Sequence, residues 1–223
     1  MAAVHPSLKS HLYVTFALLQ LKIKKLLNLP KITEVSSRYP LDGTIVMKSI
    51  STDASRVLIR QAESPQDLAA VIKCFHTYTE WLDEDLSHQN YASELAGLPG
   101  KYAPPTGSLL LAVDSESGAA LGCVALRPLE LPLNHPKARP GHRCAEMKRL
   151  FVYPEARGRQ VARRLLLELL RRAKEQGYRE VLLDSLARME AAINLYKSEG
   201  FVEAEAYNNS PYQGTVYLAK ELY

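Results

Sequence analysis

Between Gly158 and Gln176 apolar residues recur at helical spacing, at Val161, Ala162, Leu165, Leu166, Leu169, Leu170 and Ala173, and Gly177 follows as a stop. This predicts an amphipathic helix. Shorter apolar runs bounded by turn residues predict strands at Val57–Arg60, Leu109–Val113, Leu121–Leu126, about Ala145–Val152, Glu180–Asp184, Phe201–Ala204 and Thr215–Leu218. Ser64-Pro65-Gln66-Asp67 reads as the cap of a helix running to about Leu82. A shorter helix is expected over Ser87–Leu95 and another over Met189–Ser198, ended by Gly200. Strands before, between and after helices, without an internal repeat, make the chain an α+β protein.

Residues 1–55 read as an extension, a helix plus a linker, and 56–223 as one domain. The apolar and basic segment 7–28 gives way to a polar stretch with Pro and Gly, and no acidic residue precedes Glu34. The extension admits three readings: a helix packed on the domain or a partner, an interfacial membrane helix, or an organellar presequence. Packing is favoured, because the segment lacks Arg and its apolar residues do not share one clean face. Its longest apolar run, Leu12–Leu21, is too short to span a bilayer.

Charge supports that division. The net +4 of the 223 residues comes from the first 56, with 8 Lys+Arg against 3 Asp+Glu; the remainder holds 20 against 21. A near-neutral body argues against general nucleic-acid binding. Cys74, Cys123 and Cys144 are odd in number and form no CxxC or Cys/His ligand pattern, so reduced thiols, no metal site and a cytoplasmic location are expected.

The chemistry concentrates in Glu146–Arg164, EMKRLFVYPEARGRQVARR, a strand, a turn and a helix start. Arg157, Arg159, Arg163 and Arg164 oppose the helix dipole there, with Glu155 a partial offset, unless an anion normally sits at the turn. Backbone N–H groups at the helix start favour the same ligand. A diphosphate suits the site better than one carboxylate.

Arg157-Gly158-Arg159-Gln160-Val161-Ala162 resembles the acyl-CoA-binding motif of the GNAT family of N-acetyltransferases, with Gln160 where that family usually has glycine. Leu150-Phe151-Val152 with Tyr153-Pro154 is similar to the family's fourth strand, and Ala192-Ile193-Asn194-Leu195-Tyr196-Lys197-Ser198-Glu199-Gly200-Phe201 to its AIxLYxxxGF signature. The resemblance covers roughly residues 56–220. It implies a GNAT fold, a mixed, mostly antiparallel sheet flanked by helices in α/β/α layers and splayed between strands four and five.

The resemblance further implies acetyl-CoA as acyl donor, no metal, and direct attack of a primary amine on the thioester. Leu150, Phe151 and Val152 would take the pantetheine arm, and Arg157, Gly158, Arg159, Gln160, Val161, Ala162 and Arg163 the pyrophosphate. Tyr196 corresponds to the tyrosine that protonates the departing sulfur. Glu146 or Asp184 would be the base, Glu146 modestly preferred, with a path to bulk water as the third route. Glu146 would share a strand face with Lys148, Leu150 and Val152. Met189 stands where the family often has a pantetheine-binding asparagine.

For the acceptor, the resemblance points to Thr79–Tyr102 and Tyr207–Tyr217. Glu80, Asp83, Glu84 and Asp85 could draw in a cationic amine, though a solvated helix end accounts for them better; Arg127 with Tyr207 and Tyr212 could grip a carboxylate. The expected acceptor is a small-molecule amine. A non-catalytic acyl-CoA-binding module and an O- or longer-chain acyltransferase remain open, as does a homodimer paired through the last strands.

Overall fold

A computed structural model describes residues 54–84 and 90–223. The expected N-terminal extension to residue 53, Asp85 and the start expected for the second helix lie outside the described residues.

Among the described residues seven strands form one sheet: β1 (Val57–Gln61), β2 (Ser108–Asp114), β3 (Ala120–Leu129), β4 (Cys144–Val152), β5 (Glu180–Leu186), β6 (Val202–Glu203) and β7 (Thr215–Glu221). The helices are α1 (Pro65–Leu82), α2 (Tyr91–Ala96), α3 (Val161–Glu175) and α4 (Glu190–Ser198). The strand order is β1-β2-β3-β4-β5-β7-β6. Every pairing is antiparallel except β4 with β5.

Local chemistry sets the helix ends. Ser64 Oγ accepts the Asp67 N–H at 3.1 Å and Pro65 opens α1, where its missing N–H costs nothing. α3 buries Val161, Leu165, Leu166, Leu169, Leu170 and Ala173, the stripe its sequence spells out, against Leu110, Ala112, Val124 and Leu126 of the sheet. Burying each such leucine is worth about 1.5–3 kcal/mol. On the opposite face α1 lays Val71, Cys74 and Phe75 on Leu109, Leu111, Val113 and Cys123. With helices on both sides, all seven residues of β2 are buried, hence the unbroken apolar run in its sequence.

The β4–β5 pairing ends early. Only Cys144↔Glu180, Ala145↔Val181 and Glu146↔Leu182 are in register, so both strands continue beyond Glu146 and Leu182 without each other. At the same level β4 contains a bulge. Ala125 faces Lys148 and Cys123 faces Phe151, which leaves Arg149 and Leu150 opposite Val124 alone, and Arg149 has φ 58°.

The bulge corrects the expected strand alternation. Ala145 and Met147 belong to the α3 layer, yet Phe151, four residues beyond Met147, belongs to the α1 layer, and Leu150 and Val152 pack with α3. Glu146 therefore keeps Lys148 as a neighbour, at 3.3 Å, but not Leu150 or Val152. The inserted residue reverses the facing of everything after it.

Candidate functional site

The parted strands leave a groove of about 390 Å³ between β4 and α4, lined by Leu150, Phe151 and Val152 on one side and Met189, Ala192, Leu195 and Tyr196 on the other. Tyr78 and Trp81 of α1, Arg157 and Ala162 also border it. The three β4 residues expected to hold a pantetheine arm thus share one wall. Met189, the residue preceding α4, gives no side-chain cap; its Sδ lies 3.8 Å from Ser185 Oγ.

The turn into α3 lies at one end of this groove. Gly158 has φ 80° and Gln160 φ 58°, both left-handed, and the Gln160 side chain makes no capping bond to the helix. Glycine is the residue that takes such a conformation freely, whereas a side chain there costs about 1–2 kcal/mol. Gln160 accepts that strain, and Val161, Ala162 and Arg163 open the helix beyond it, where first-turn N–H groups have no intrahelical partner.

The arginines divide. Arg157 borders the groove. Arg163, half exposed, bonds Glu199 at 2.7 Å. Arg159 departs from expectation: its guanidinium is turned inward, 5% exposed, onto Asp114 Oδ2 at 2.8 Å. The Ser117 N–H, the Arg159 guanidinium and further donors hold the Asp114 carboxyl well below the usual carboxylate range. A buried carboxylate at the end of β2 captures the cation that the sequence assigns to a phosphate.

Tyr196 is 6% exposed and borders both the groove and a smaller cavity, inside the splay, that reaches Lys148, Arg149 and Asp184. Burial, with Tyr78 and Asp184 nearby, raises its phenol pKa. It therefore holds its proton at neutral pH.

Glu146 and Asp184 belong to one network. Glu146, 2% exposed, takes Arg127 Nε at 2.7 Å on Oε2, and on Oε1 it meets Lys148 Nζ at 3.3 Å and the Tyr207 hydroxyl at 3.1 Å. Lys148 Nζ and the Tyr207 hydroxyl also reach Asp184 Oδ1, at 3.0 and 3.2 Å. Burial alone would raise the Asp184 pKa, but Lys148 and Tyr207 outweigh it and the value is lowered. Burial and the two carboxylates push the Tyr207 phenol well above its ordinary value. Two cations balance two anions, with one phenolic proton between the acids.

Arg127, Glu146, Lys148 and Asp184 form the floor of a cavity of about 200 Å³ bordered by Asn208, Asn209 and Ser210. Arg127 also borders a second cavity of about 570 Å³ beside Asn90, Ser93, Glu94, Lys101 and Tyr102. Tyr207, expected to grip an acceptor, is instead occupied by the two carboxylates. Of the acidic run, Glu84 bonds Arg188 at 2.6 Å, and Glu80 and Asp83 are exposed.

Sequence reasoning missed two features. One is Tyr207 as the link between the acids. The other is the pairing of Arg149 with Glu94, Nε to Oε1 at 3.0 Å and NH2 to Oε2 at 2.8 Å, for which no local motif exists. All three cysteines are buried thiols, and Cys123 Sγ lies 3.6 Å from the Arg149 carbonyl oxygen. At the far end of β4, His142, Cys144 and Glu180 bring ligand-type atoms within 4.8 Å of one another, a grouping that spacing does not reveal. The Glu180 carboxylate there is taken by Lys137 Nζ and His142 Nε2. Among the described residues no helix is long and apolar enough to cross a membrane.

The same architecture occurs in known proteins. The profile of the acetyltransferase (GNAT) family matches residues 66–201. An uncharacterised N-acetyltransferase of Schizosaccharomyces pombe is 39% identical over 168 residues, covering 75% of this chain and 96% of its own length. One of Dictyostelium discoideum is 29% identical, covering 74% and 98%. Among solved structures, a Klebsiella pneumoniae protein described as an acyl-CoA N-acyltransferase superposes with TM-score 0.56 at 26% identity, covering 75% of this chain and 98% of that one. A chain of the NatC complex bound to Gag peptide and CoA shares the fold with TM-score 0.56 at 20% identity, covering 75% and 99%.

Proposed function

The chain belongs to the GNAT family of acetyltransferases, and on that footing we propose that it moves an acetyl group from acetyl-CoA to the primary amine of a small molecule by direct attack on the thioester. The observation that carries this reading is the coincidence of three features. β4 and β5 part beyond Glu146, β4 is bulged at Arg149, and the protonated Tyr196 phenol borders the opening.

In this reading Leu150, Phe151 and Val152 face the pantetheine arm. The turn Arg157–Arg163 meets the pyrophosphate through Gly158, the α3 N–H groups and the Arg157 and Arg163 side chains, while Arg159 contributes only backbone. The amine, neutral on arrival or deprotonated in the site, attacks the carbonyl carbon; its lone pair forms the new C–N bond and the C=O pair moves onto oxygen. The pair on oxygen then re-forms the C=O bond as the C–S bond breaks with its electrons on sulfur, and the thiolate takes the Tyr196 proton. The proton lost by nitrogen passes to the Glu146–Asp184 network or through water. The depressed Asp184 carboxyl is a weak base, which favours water over that residue alone.

The neutral balance of Arg127, Lys148, Glu146 and Asp184 supports a polar small-molecule acceptor. The reading includes residues 1–55 as an extension to this domain and a cytoplasmic enzyme. Mass spectrometry of products formed from acetyl-CoA with a panel of amines and alcohols tests it. An N-acetylated small molecule is expected; O-acetyl products alone, or acetyl-CoA binding without transfer, would overturn it.

A further inference from the structure

Arg149 is held from three directions. Its guanidinium, 4% exposed, takes both Glu94 carboxylate oxygens and lies over the Tyr91 ring, 5.3 Å from the centroid. Its carbonyl faces the Cys123 thiol. Its φ of 58° lies where an arginine settles only under constraint. Two residues against one at this bulge leave backbone polar groups outside the ladder, beside the cavity that Tyr196 and Leu150 border.

Glu94 has a second surface. It accepts the Tyr102 hydroxyl at 2.9 Å, and both residues border the cavity that also exposes Arg127 and Lys101. Arg127 continues into the cavity floored by Glu146, Lys148 and Asp184. One carboxylate thus borders the cavity it shares with Arg127 and is bonded to the residue at the bulge, beside the cavity that Tyr196 borders. A pair that served stability alone would be replaceable by apolar groups of like volume, often without loss.

We propose that Glu94 is a positioning residue: through its two-point bond it holds Arg149 in the left-handed conformation that aims the bulged β4 backbone at the thioester oxygen. This rests on the acetyl-CoA site of the acetyl-transfer reading, not on transfer itself. Occupancy of the cavity that Glu94 and Arg127 border is thereby felt at the bulge, since a ligand that moves Glu94 moves Arg149.

The test uses the full chain with Arg149→Gly, which permits positive φ but has no guanidinium, with Glu94→Gln and Glu94→Asp, and with the Glu94→Gln/Arg149→Gly double variant. Arg149→Gly is expected to keep acetyl-CoA affinity within about twofold and to lose about tenfold or more in kcat. Glu94→Asp should recover part of what Glu94→Gln loses. The double variant should be no slower than Arg149→Gly, because Glu94 acts only through Arg149.

A second readout needs no acceptor. The infrared carbonyl stretch of carbonyl-labelled acetyl-CoA, lowered on the wild-type protein by hydrogen bonding, should move back toward its free value in Arg149→Gly and in Glu94→Gln. If Glu94→Gln alone unfolds, the double variant, free of an unpaired buried charge, carries the comparison. Wild-type kcat or an unmoved stretch in Arg149→Gly overturns the proposal, as does a further loss in the double variant. A wild type that turns over no acceptor, yet shows the stretch and its dependence on Glu94, would sink the acetyl-transfer reading and leave this inference standing.

Discussion

Lys148 Nζ lies 3.0 Å from Asp184 Oδ1, bridging β4 and β5 just where the two strands separate. The same ammonium meets Glu146 on its own strand. With Asp184 it borders both the small cavity beside Tyr196 and the one bordered by Arg127 and Glu146, as a fixed, paired charge.

That pairing sets a pH dependence. The Asp184 carboxyl titrates below its ordinary value in the fold. A depressed carboxyl stabilises the folded state above its unfolded pKa of about 3.9, and the contribution vanishes as pH falls through the folded value. Acid unfolding followed by circular dichroism should therefore show a component beginning near pH 4 and extending downward. Asp184→Asn should remove that component and cost about 1–3 kcal/mol at neutral pH, since Lys148 keeps Glu146. An unchanged acid limb would show the pair to be solvated.

Tyr196→Phe removes the proposed acid while keeping the ring that packs on Phe201. A fall in kcat of about 100-fold is expected, with the dissociation constant for acetyl-CoA within about twofold. Calorimetry and single-turnover kinetics separate the two quantities. Full activity would assign the sulfur's proton to water.

Gln160→Gly relieves a left-handed residue that makes no capping bond. The variant should be more stable by about 0.5–1 kcal/mol, a rise of about 1–4 °C in Tm, with acetyl-CoA affinity retained. A tenfold loss of affinity would instead make the glutamine amide a ligand.

Arg157→Gln and Arg159→Gln, both in the matched motif, should behave differently. The Arg159 change removes the guanidinium from Asp114 Oδ2 and should lower stability by about 1–3 kcal/mol with little effect on acetyl-CoA binding. The Arg157 change should weaken that binding at near-constant stability. Thermal melts with and without acetyl-CoA distinguish them, and equal affinity losses would return Arg159 to the phosphate site.

Much of this was written locally. The α3 stripe, the Ser64 cap and the apolar run of β2 each follow from residues a few positions apart, so periodicity exposes them. The groove walls came with them, because Leu150–Val152 and Tyr196 sit within contiguous motifs. The rest depends on partners far along the chain. Arg159 and Asp114 are 45 residues apart and Glu94 and Arg149 are 55 apart, and a guanidinium in a sequence carries no mark of which carboxylate will reach it. The bulge was hidden for another reason: Lys148-Arg149-Leu150-Phe151 contains no glycine or other turn residue to mark it, and only the facing strand shows that one residue is surplus.

That surplus residue means that chain length, and no single side chain, creates the bulge in this stretch. Loss of Arg149 would let β4 pair in even step with β3, Leu150 alone facing Val124, so that Phe151 stays in the α1 layer and Leu150 and Val152 stay with α3 while the bulge itself disappears. A point change at Arg149 keeps the surplus residue. A chain lacking Arg149 should therefore keep its core facing and fold, yet lose the bulge, a signature of counting rather than of chemistry.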